Sequence, residues 1–296
     1  MRPYERFKNE GFLVEEKAPL ARYTTLKVGG PADLLFHPRN FLELWRGLEL
    51  AREMELPIFF LGGGSNLLVR DGGFRGVVIS LKGLREFSCQ GEILEAESGA
   101  FLPKLLSFCR QQGLSGLEFL AGVPTSLGGA VVMNAGAFGQ EIRGVLEEVT
   151  VLSDGVFRTY QAEEIPFAYR SWNGPEGAVV VKAKLRLKAA PSEEVRERFE
   201  KYLQRRKATQ PLNRFSAGCF FKNPSEAPAG YLIEQAGLKG FVQGRAAVSD
   251  VHANFIVNLG GAKASEILAL AELVKEEVFK AFGLELQEEV AIVGEG

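Results

Sequence analysis

The sequence predicts an α+β fold. Two observations carry this: helical stretches alternate irregularly with short β-hairpins, and the strict strand–helix–strand rhythm of a doubly wound parallel sheet is missing. A third observation sets the number of domains. The chain has 296 residues, and at roughly 100 to 200 residues per domain this implies two. The character of the chain changes after Ala189-Ala190-Pro191. We therefore divide it into residues 1–191, which can split again near residue 75, and residues 192–296.

The elements follow in order. Residues 41–55 predict a helix, because Leu44, Trp45, Leu48 and Ala51 share one face at helical spacing and Pro57 stops it. Ile58-Phe59-Phe60-Leu61 and Val77 to Leu81 read as buried strands. Phe87 to Cys89 and Ile93 to Ala96 flank Gln90-Gly91 as a hairpin; Val149 to Leu152 and Val156 to Thr159 flank Ser153-Asp154-Gly155 as another. Phe101 to Gln112 reads as a helix with Gly113 as its stop. Residues 178–187 alternate as a strand does. Ser192 caps a charged helix to about Lys207, with Glu193 and Glu194 in its first turn. Its polar surface suggests a bridging helix at a domain boundary, and Arg205-Arg206-Lys207 reads as a solvated cluster that complements the helix dipole. A last helix covers residues 264–282.

Composition excludes several classes. Hydrophobic residues make up 46% and charged residues 24%, as in ordinary globular chains. The net charge of −2 offers no basic excess for nucleic acid. Three cysteines, Cys89, Cys109 and Cys219, form no C-x-x-C, so neither a disulfide framework nor a zinc site is expected; His37 and His252 lie far apart. No apolar run is long enough for a membrane span, and the basic N-terminus is not followed by the apolar stretch of a signal peptide. The expected compartment is the cytoplasm.

Two segments carry chemistry. The first is Leu61-Gly62-Gly63-Gly64-Ser65-Asn66, directly after a strand. Three glycines let main-chain N–H groups approach a phosphate, and Ser65 and Asn66 add polar side chains. No Gly-Lys-Ser/Thr follows, so it is not a Walker loop; Leu67 stands where the Rossmann fingerprint needs a third glycine. A plain structural turn explains the segment equally well. The second is the 18-residue stretch from Gly122-Val123-Pro124-Thr125-Ser126-Leu127-Gly128-Gly129-Ala130 through Asn134-Ala135-Gly136 to Gly139, with five glycines. It suits main-chain packing against a flat ligand, and equally a helix packed tightly on a sheet.

Taken together, these loops resemble the UDP-N-acetylenolpyruvoylglucosamine reductase (MurB) family. The resemblance continues through Thr24 to Ala32, Phe167-Ala168-Tyr169-Arg170-Ser171, Ser216-Ala217-Gly218-Cys219-Phe220-Phe221-Lys222-Asn223-Pro224, Leu232 to Gly240 and Val248 to Asn258, in matching order over nearly the whole chain. It implies a vanillyl-alcohol-oxidase-like (PCMH-type) FAD-binding region at residues 1–191 and a C-terminal α+β substrate-binding domain at residues 192–296. It implies that NADPH reduces FAD, and that UDP-N-acetylglucosamine enolpyruvate is reduced in turn to UDP-N-acetylmuramate for peptidoglycan synthesis.

The resemblance also implies roles. Arg170 matches the catalytic arginine, whose guanidinium grips a carboxylate in two-pronged fashion. Cys219 stands where the family commonly places a serine proton donor. A thiol, with an ordinary pKa of about 8.5, is mostly protonated at neutral pH and is a stronger acid than an alcohol. On the residues alone, Cys219 reads as a small buried hydrophobe. Glu289 matches the C-terminal catalytic glutamate, although on the residues alone Glu285, Glu288 and Glu289 all read as surface charges, and a register slip of one selects Glu288. For FAD the resemblance selects Gly62, Gly63, Gly64, Ser65 and Asn66 at the pyrophosphate. Pro124, Thr125, Ser126, Gly128, Gly129, Ala130, Asn134 and Gly136 lie along the cofactor, with Arg214 at flavin or substrate phosphate or else solvated. Thr125 replaces the family's usual glycine, and a β-branched residue disfavours positive φ. Tyr169, Lys222 and Asn223 are substrate contacts; His252 and Asn254 hold the fold. Cys89 and Cys109 are packing residues. No histidine for covalent attachment stands in the Gly-rich loop, so FAD is expected to bind non-covalently. No insertion stands between Arg170 and Ser216, which marks the shorter subtype without a tyrosine-bearing closing loop. A monomer is expected, with neither nucleic acid nor membrane as partner. The competing readings are another oxidoreductase of the same FAD class and a sugar-nucleotide-binding protein without catalysis.

Overall fold

The computed structural model describes residues 2–296. Seven α-helices are named in chain order: α1 (Pro3–Asn9), α2 (Phe41–Glu53), α3 (Leu102–Gln112), α4 (Leu127–Val132), α5 (Ser192–Thr209), α6 (Ala229–Gln235) and α7 (Ala264–Phe282). Two compact units are assembled from several stretches each. The first takes the segment up to Glu15, Leu34–Gly63 and Val77–Arg206; the second takes Glu16–Asp33, Gly64–Gly76 and Lys207–Gly296. The units thus differ from a single cut in chain order at residue 191. The chain crosses from one to the other inside the first glycine-rich motif and again inside α5.

In the first unit, a five-stranded antiparallel sheet runs in the order Val156–Gln161, Leu146–Ser153, Val179–Arg186, Ile93–Glu97, Phe87–Gln90. Both predicted hairpins are in it. Asp154 and Gly155 form a two-residue turn with φ of 50° and 73°, the left-handed conformation that matches strand twist. Trp45 of α2 donates to the Gly155 carbonyl at 2.9 Å and so seats this hairpin on the helix. One sheet face buries Leu94 and Ala96 with Leu185, Val149 and Val151 under α3. The other pairs Lys182 with Glu95 at 2.9 Å and Lys184 with Glu148 at 2.7 Å. Such half-exposed pairs contribute under about 1 kcal/mol each, so the sheet is held by its buried face. Helix α3 ends at Gly113 with φ 65°. The strand Ile58–Leu61 pairs in parallel with Val77–Ser80 and delivers the chain to Gly62.

In the second unit, four short antiparallel strands run in the order Phe215–Ser216, Ile256–Asn258, Ala246–Val248, Val242–Gln243. Helix α7 presents Ile267, Leu270, Ala271, Val274 and Val278 to a core with Phe220, Phe221, Leu68 and Val290. Its start is held from outside the helix. Asp71 accepts hydrogen bonds from the N–H groups of Ala264 at 2.8 Å and Ser265 at 3.0 Å, two of the donors a helix N-terminus leaves without an internal partner. Burial raises the Asp71 carboxyl, but these N–H groups outweigh it and hold the group below its ordinary value.

Asp71 therefore stabilises above the ordinary carboxyl pKa of about 3.9 and loses that contribution as pH falls through its lower folded value. Asp71→Ala is expected to lower stability to urea by about 1 kcal/mol at pH 7. The gap from the parent protein should narrow at pH 3, and an equal gap at both pH values would contradict this cap.

Candidate active site

In the first unit, the two glycine-rich segments meet. A Cβ on Gly63 would lie 2.9 Å from the Thr125 Cα and 3.0 Å from the Ser126 N; one on Gly62 would lie 2.7 Å from the Ser126 Oγ. Glycine is required here because main chain approaches main chain. Pro124-Thr125-Ser126 leads into α4, where Ser126 Oγ accepts from Gly129 N at 3.4 Å as an N-cap. Thr125 is buried and is not among the residues with positive φ, so its β-branch is accommodated without strain. Gly128 answers to packing: a Cβ there would lie 2.7 Å from that of Ser98. Ala130 is buried in the sheet core. Bare backbone at Gly62, Gly63 and Gly129, with the hydroxyls of Thr125 and Ser126, fits a ligand held by main-chain contact.

The far end of the second segment holds Arg170. Asn134 is fully buried at φ 40°, and its Nδ2 donates to Glu141 Oε2 at 3.0 Å and to the Ala168 carbonyl at 3.1 Å. Trp172 N donates to the Val132 carbonyl at 3.0 Å. Ala168 and Ser171 pair across a tight turn with Tyr169 and Arg170 at its tip. Arg170 has φ 56°, a left-handed conformation that costs a non-glycine residue about 1 to 2 kcal/mol and persists because the turn is pinned on both sides. Its guanidinium lies over the Tyr169 ring at 4.9 Å, and Nη1 stands 3.3 Å from where a Gly136 Cβ would be. The same Cβ would lie 2.6 Å from the Gln140 carbonyl, so Gly136 answers first to that close main-chain approach.

In the second unit, Gly64, Ser65 and Asn66 continue the first motif. Gly64 has φ 70°, and a Cβ there would strike the Tyr23 carbonyl at 2.1 Å. Thr25 joins this turn to the strand Phe215–Ser216: its N donates to the Gly64 carbonyl at 2.9 Å and its Oγ1 to the Ser216 carbonyl at 2.7 Å. Asn66 Nδ2 donates to the Glu289 carbonyl at 3.0 Å, and Ala291 N donates to the Asn66 carbonyl at 3.1 Å. The parallel pairing of Leu67–Val69 with Ala291–Val293 starts there.

The segments that carry Cys219 and Glu289 pair in this unit. Phe221 and Glu288 form an antiparallel bridge, Glu289 N donates to the Phe220 carbonyl at 2.8 Å, and Lys222 N donates to the Gln287 carbonyl at 2.8 Å. Cys219 is partly buried against Ala247, Phe255 and Val257. Lys275 of α7 holds the Glu288 carboxylate at 2.9 Å, a hydrogen bond that raises the lysine above its ordinary range.

The remaining residues divide. Lys222 is half-buried; Arg214 is exposed two residues before Ser216. The carboxamide oxygen of Asn223 accepts from Ala229 N at 3.0 Å and caps α6. His252 Nδ1 accepts from Asn254 N at 3.2 Å, and burial lowers its pKa. Burial also raises both other thiols, Cys109 to about 12. The solvated reading of the α5 cluster holds for the exposed Arg205 and Lys207 and requires correction at Arg206. Arg206 is 8% exposed, and the Arg205 and Arg206 guanidinium groups lie 5.0 and 5.8 Å from the Phe138 ring centre. Phe138 stacks on Tyr202 of α5 at 4.8 Å, a partner that spacing along the helix does not reveal.

Residues 210–293 match the UDP-N-acetylenolpyruvoylglucosamine reductase C-terminal domain, and residues 32–156 match an FAD-binding domain. The chain is 45% identical over 290 residues to the UDP-N-acetylenolpyruvoylglucosamine reductase of Trichlorobacter lovleyi, covering 98% of this chain and 95% of that one. It is 47% identical over 280 residues to that of Rubrobacter xylanophilus, covering 94% of each. The chain belongs to the UDP-N-acetylenolpyruvoylglucosamine reductase family. The crystal structure of the reductase from Thermus caldophilus superposes with a TM-score of 0.83 at 41% identity, over 95% of this chain and 98% of that one. An alkyldihydroxyacetonephosphate synthase shares the FAD-domain fold alone, with a TM-score of 0.50 at 17% identity over 64% of this chain and 41% of its own. The expected PCMH-type FAD-binding region with a reductase C-terminal domain is therefore the fold of this family member.

Strain at Arg170 gives a direct test. Arg170→Gly is expected to be about 1 kcal/mol more stable than Arg170→Ala in urea unfolding, because only glycine adopts this φ without penalty. An alanine variant as stable as the glycine one would contradict the strained turn.

Proposed function

We propose that this chain reduces UDP-N-acetylglucosamine enolpyruvate to UDP-N-acetylmuramate, a step of peptidoglycan synthesis, with NADPH as hydride donor and non-covalently bound FAD. The observation that supports this reading best is the backbone pairing of the two segments that carry Cys219 and Glu289, with Glu289 N donating to the Phe220 carbonyl beside the Phe221–Glu288 bridge. When bound, FAD supplies the hydride chemistry that side chains lack, accepting a hydride from NADPH and passing one to the enolpyruvyl methylene carbon.

The side chains handle charge and protons. Hydride addition at the methylene carbon leaves negative charge on the neighbouring carbon and its carboxylate. Arg170, permanently charged on a pinned turn, stabilises that charge with two parallel hydrogen bonds. Cys219 gives its Sγ proton to the same neighbouring carbon, and solvent reprotonates the thiolate. Glu289 acts at the substrate carboxylate as the protonated acid, since a lone carboxylate would repel the charge. The engagement of Glu288 by Lys275 supports Glu289 rather than its neighbour.

Gly62, Gly63 and Gly64 with Ser65 and Asn66 hold the pyrophosphate through main-chain N–H groups. Pro124 to Ala130, Asn134 and Gly136 line the cofactor. Tyr169, Lys222 and Asn223 contact the sugar nucleotide, and Arg214 contacts a phosphate. Residues 1–191 supply the FAD-binding part and residues 192–296 the substrate-binding part. The strand Val179–Arg186 and α5 fill the sequence between Arg170 and Ser216, in keeping with the shorter subtype. On this reading the protein acts as a monomer in the cytoplasm on small molecules. No helix among the described residues is long and apolar enough to cross a membrane.

Cys219→Ala is expected to keep bleaching of the bound flavin by NADPH within about twofold, while conversion of the enolpyruvyl substrate falls by about 100-fold or more, as for loss of a general acid. Cys219→Ser should retain most of the conversion. Anaerobic absorbance records both half-reactions, and equal losses in the two would contradict the proton-donor role.

A further inference from the structure

Asn254 takes no part in the steps above, yet it makes four hydrogen bonds, three of them to the two residues that follow Cys219. It is 2% exposed. Its carboxamide pairs with both main-chain groups of a single residue: Phe221 N donates to Oδ1 at 2.9 Å, and Nδ2 donates to the Phe221 carbonyl at 2.8 Å. Its own carbonyl accepts from Phe220 N at 2.7 Å. Its N–H is tied to His252 Nδ1 at 3.2 Å.

The opposite edge of the same segment pairs with residues 287–289. Phe220 is therefore bonded on each side: its N–H donates to the Asn254 carbonyl, and its carbonyl accepts from Glu289 N. Residues 219–222 are the middle of a three-part ribbon, and one outer part is largely a side chain. A carboxamide is suited to this because it carries one acceptor and one donor side by side, as a peptide group does. Gly218, at φ 82°, turns the chain immediately before Cys219. Without a fixed partner at Phe221, only the hydrogen bond from Phe220 N to the Asn254 carbonyl would be left on that edge to resist rotation of the turn that carries the thiol.

We propose that Asn254 is a positioning residue for the protonation step, holding the backbone that follows Cys219 so that the turn carrying its thiol stays fixed against the segment that carries Glu289. This rests on the reading of Cys219 as proton donor.

The test is Asn254→Asp in the FAD-loaded protein. A neutral carboxylic acid presents the same acceptor and donor pair to Phe221. An ionised one sets an oxygen against the Phe221 carbonyl, and burial favours the neutral form to higher pH than usual. Flavin bleaching by NADPH should stay within about twofold of the parent from pH 5.5 to 8.5. Substrate conversion should fall by about 10-fold to 100-fold at pH 8.5, the scale of a small misplacement, and return toward the parent value at pH 5.5. The alkylation rate of Cys219 by iodoacetamide, measured without NADPH or substrate, should depart from the parent's over the same pH range.

Losses shared equally by both half-reactions and tracking a lower melting temperature would reduce Asn254 to a purely structural role and overturn the proposal. So would unchanged conversion and alkylation at pH 8.5. If Asn254→Asp does not fold at high pH, His252→Ala, which removes the acceptor for Asn254 N–H, is read by the same split between half-reactions. Parent protein that fails to convert the substrate would sink the functional reading itself. Conversion that survives Cys219→Ala would sink the proton-donor reading.

Discussion

The hydrogen bond from Glu289 N to the Phe220 carbonyl is the constraint on which the second unit depends. It joins the segment after Gly218 to the segment that leads into the last strand, two stretches far apart in sequence. Everything of interest in that unit lies within a residue or two of it. Cys219 precedes Phe220, Glu289 supplies the donor, and Asn66 holds the Glu289 carbonyl from its other side. The aromatic rings of Phe220 and Phe221, each 1% exposed, anchor the ribbon in the core beneath α7. Each such ring buries enough apolar surface to contribute about 2 to 3 kcal/mol, which makes this a rigid place to mount an acid.

The first unit solves a different problem with one stretch of chain. The segment from Gly122 to Gly139 packs its first half against Gly62 and Gly63 and its second half beneath the turn that carries Arg170. Small residues are needed in the first half because main chain meets main chain. Buried Asn134 is needed in the second because the turn's Ala168 carbonyl must find a donor away from water. A positively charged group in a strained conformation and a bare backbone cradle are thus set by the same few residues.

How much of this was legible in the sequence depends on distance along the chain. The α7 helix, both hairpins and the strand Ile58–Leu61 follow from local periodicity and turn residues, and their bounds match the structure closely. The composition of the two units does not, because each gathers early and late segments whose association leaves no local pattern. The glycine-rich loops announced close approach without naming the partner. Arg170 and Cys219 were selected by motif, since nothing in their local pattern distinguishes them from a surface arginine and a core cysteine. The roles of Asn254, Lys275 and the Arg205–Phe138 stack were not legible, because each depends on a partner far away in sequence. An asparagine that replaces a strand reads, on its own, as a loop residue.

The central claim is that this chain delivers a hydride and a proton to an enolpyruvyl ether. The most direct measurement is anaerobic stopped-flow absorbance of the NADPH-reduced protein mixed with UDP-N-acetylglucosamine enolpyruvate, with the product identified by mass. Rapid return of the oxidised flavin spectrum, with UDP-N-acetylmuramate formed in equal amount, is the expected result. A spectrum that stays bleached with this substrate and recovers only when oxygen is admitted would contradict the account and point to an oxidase of the same fold.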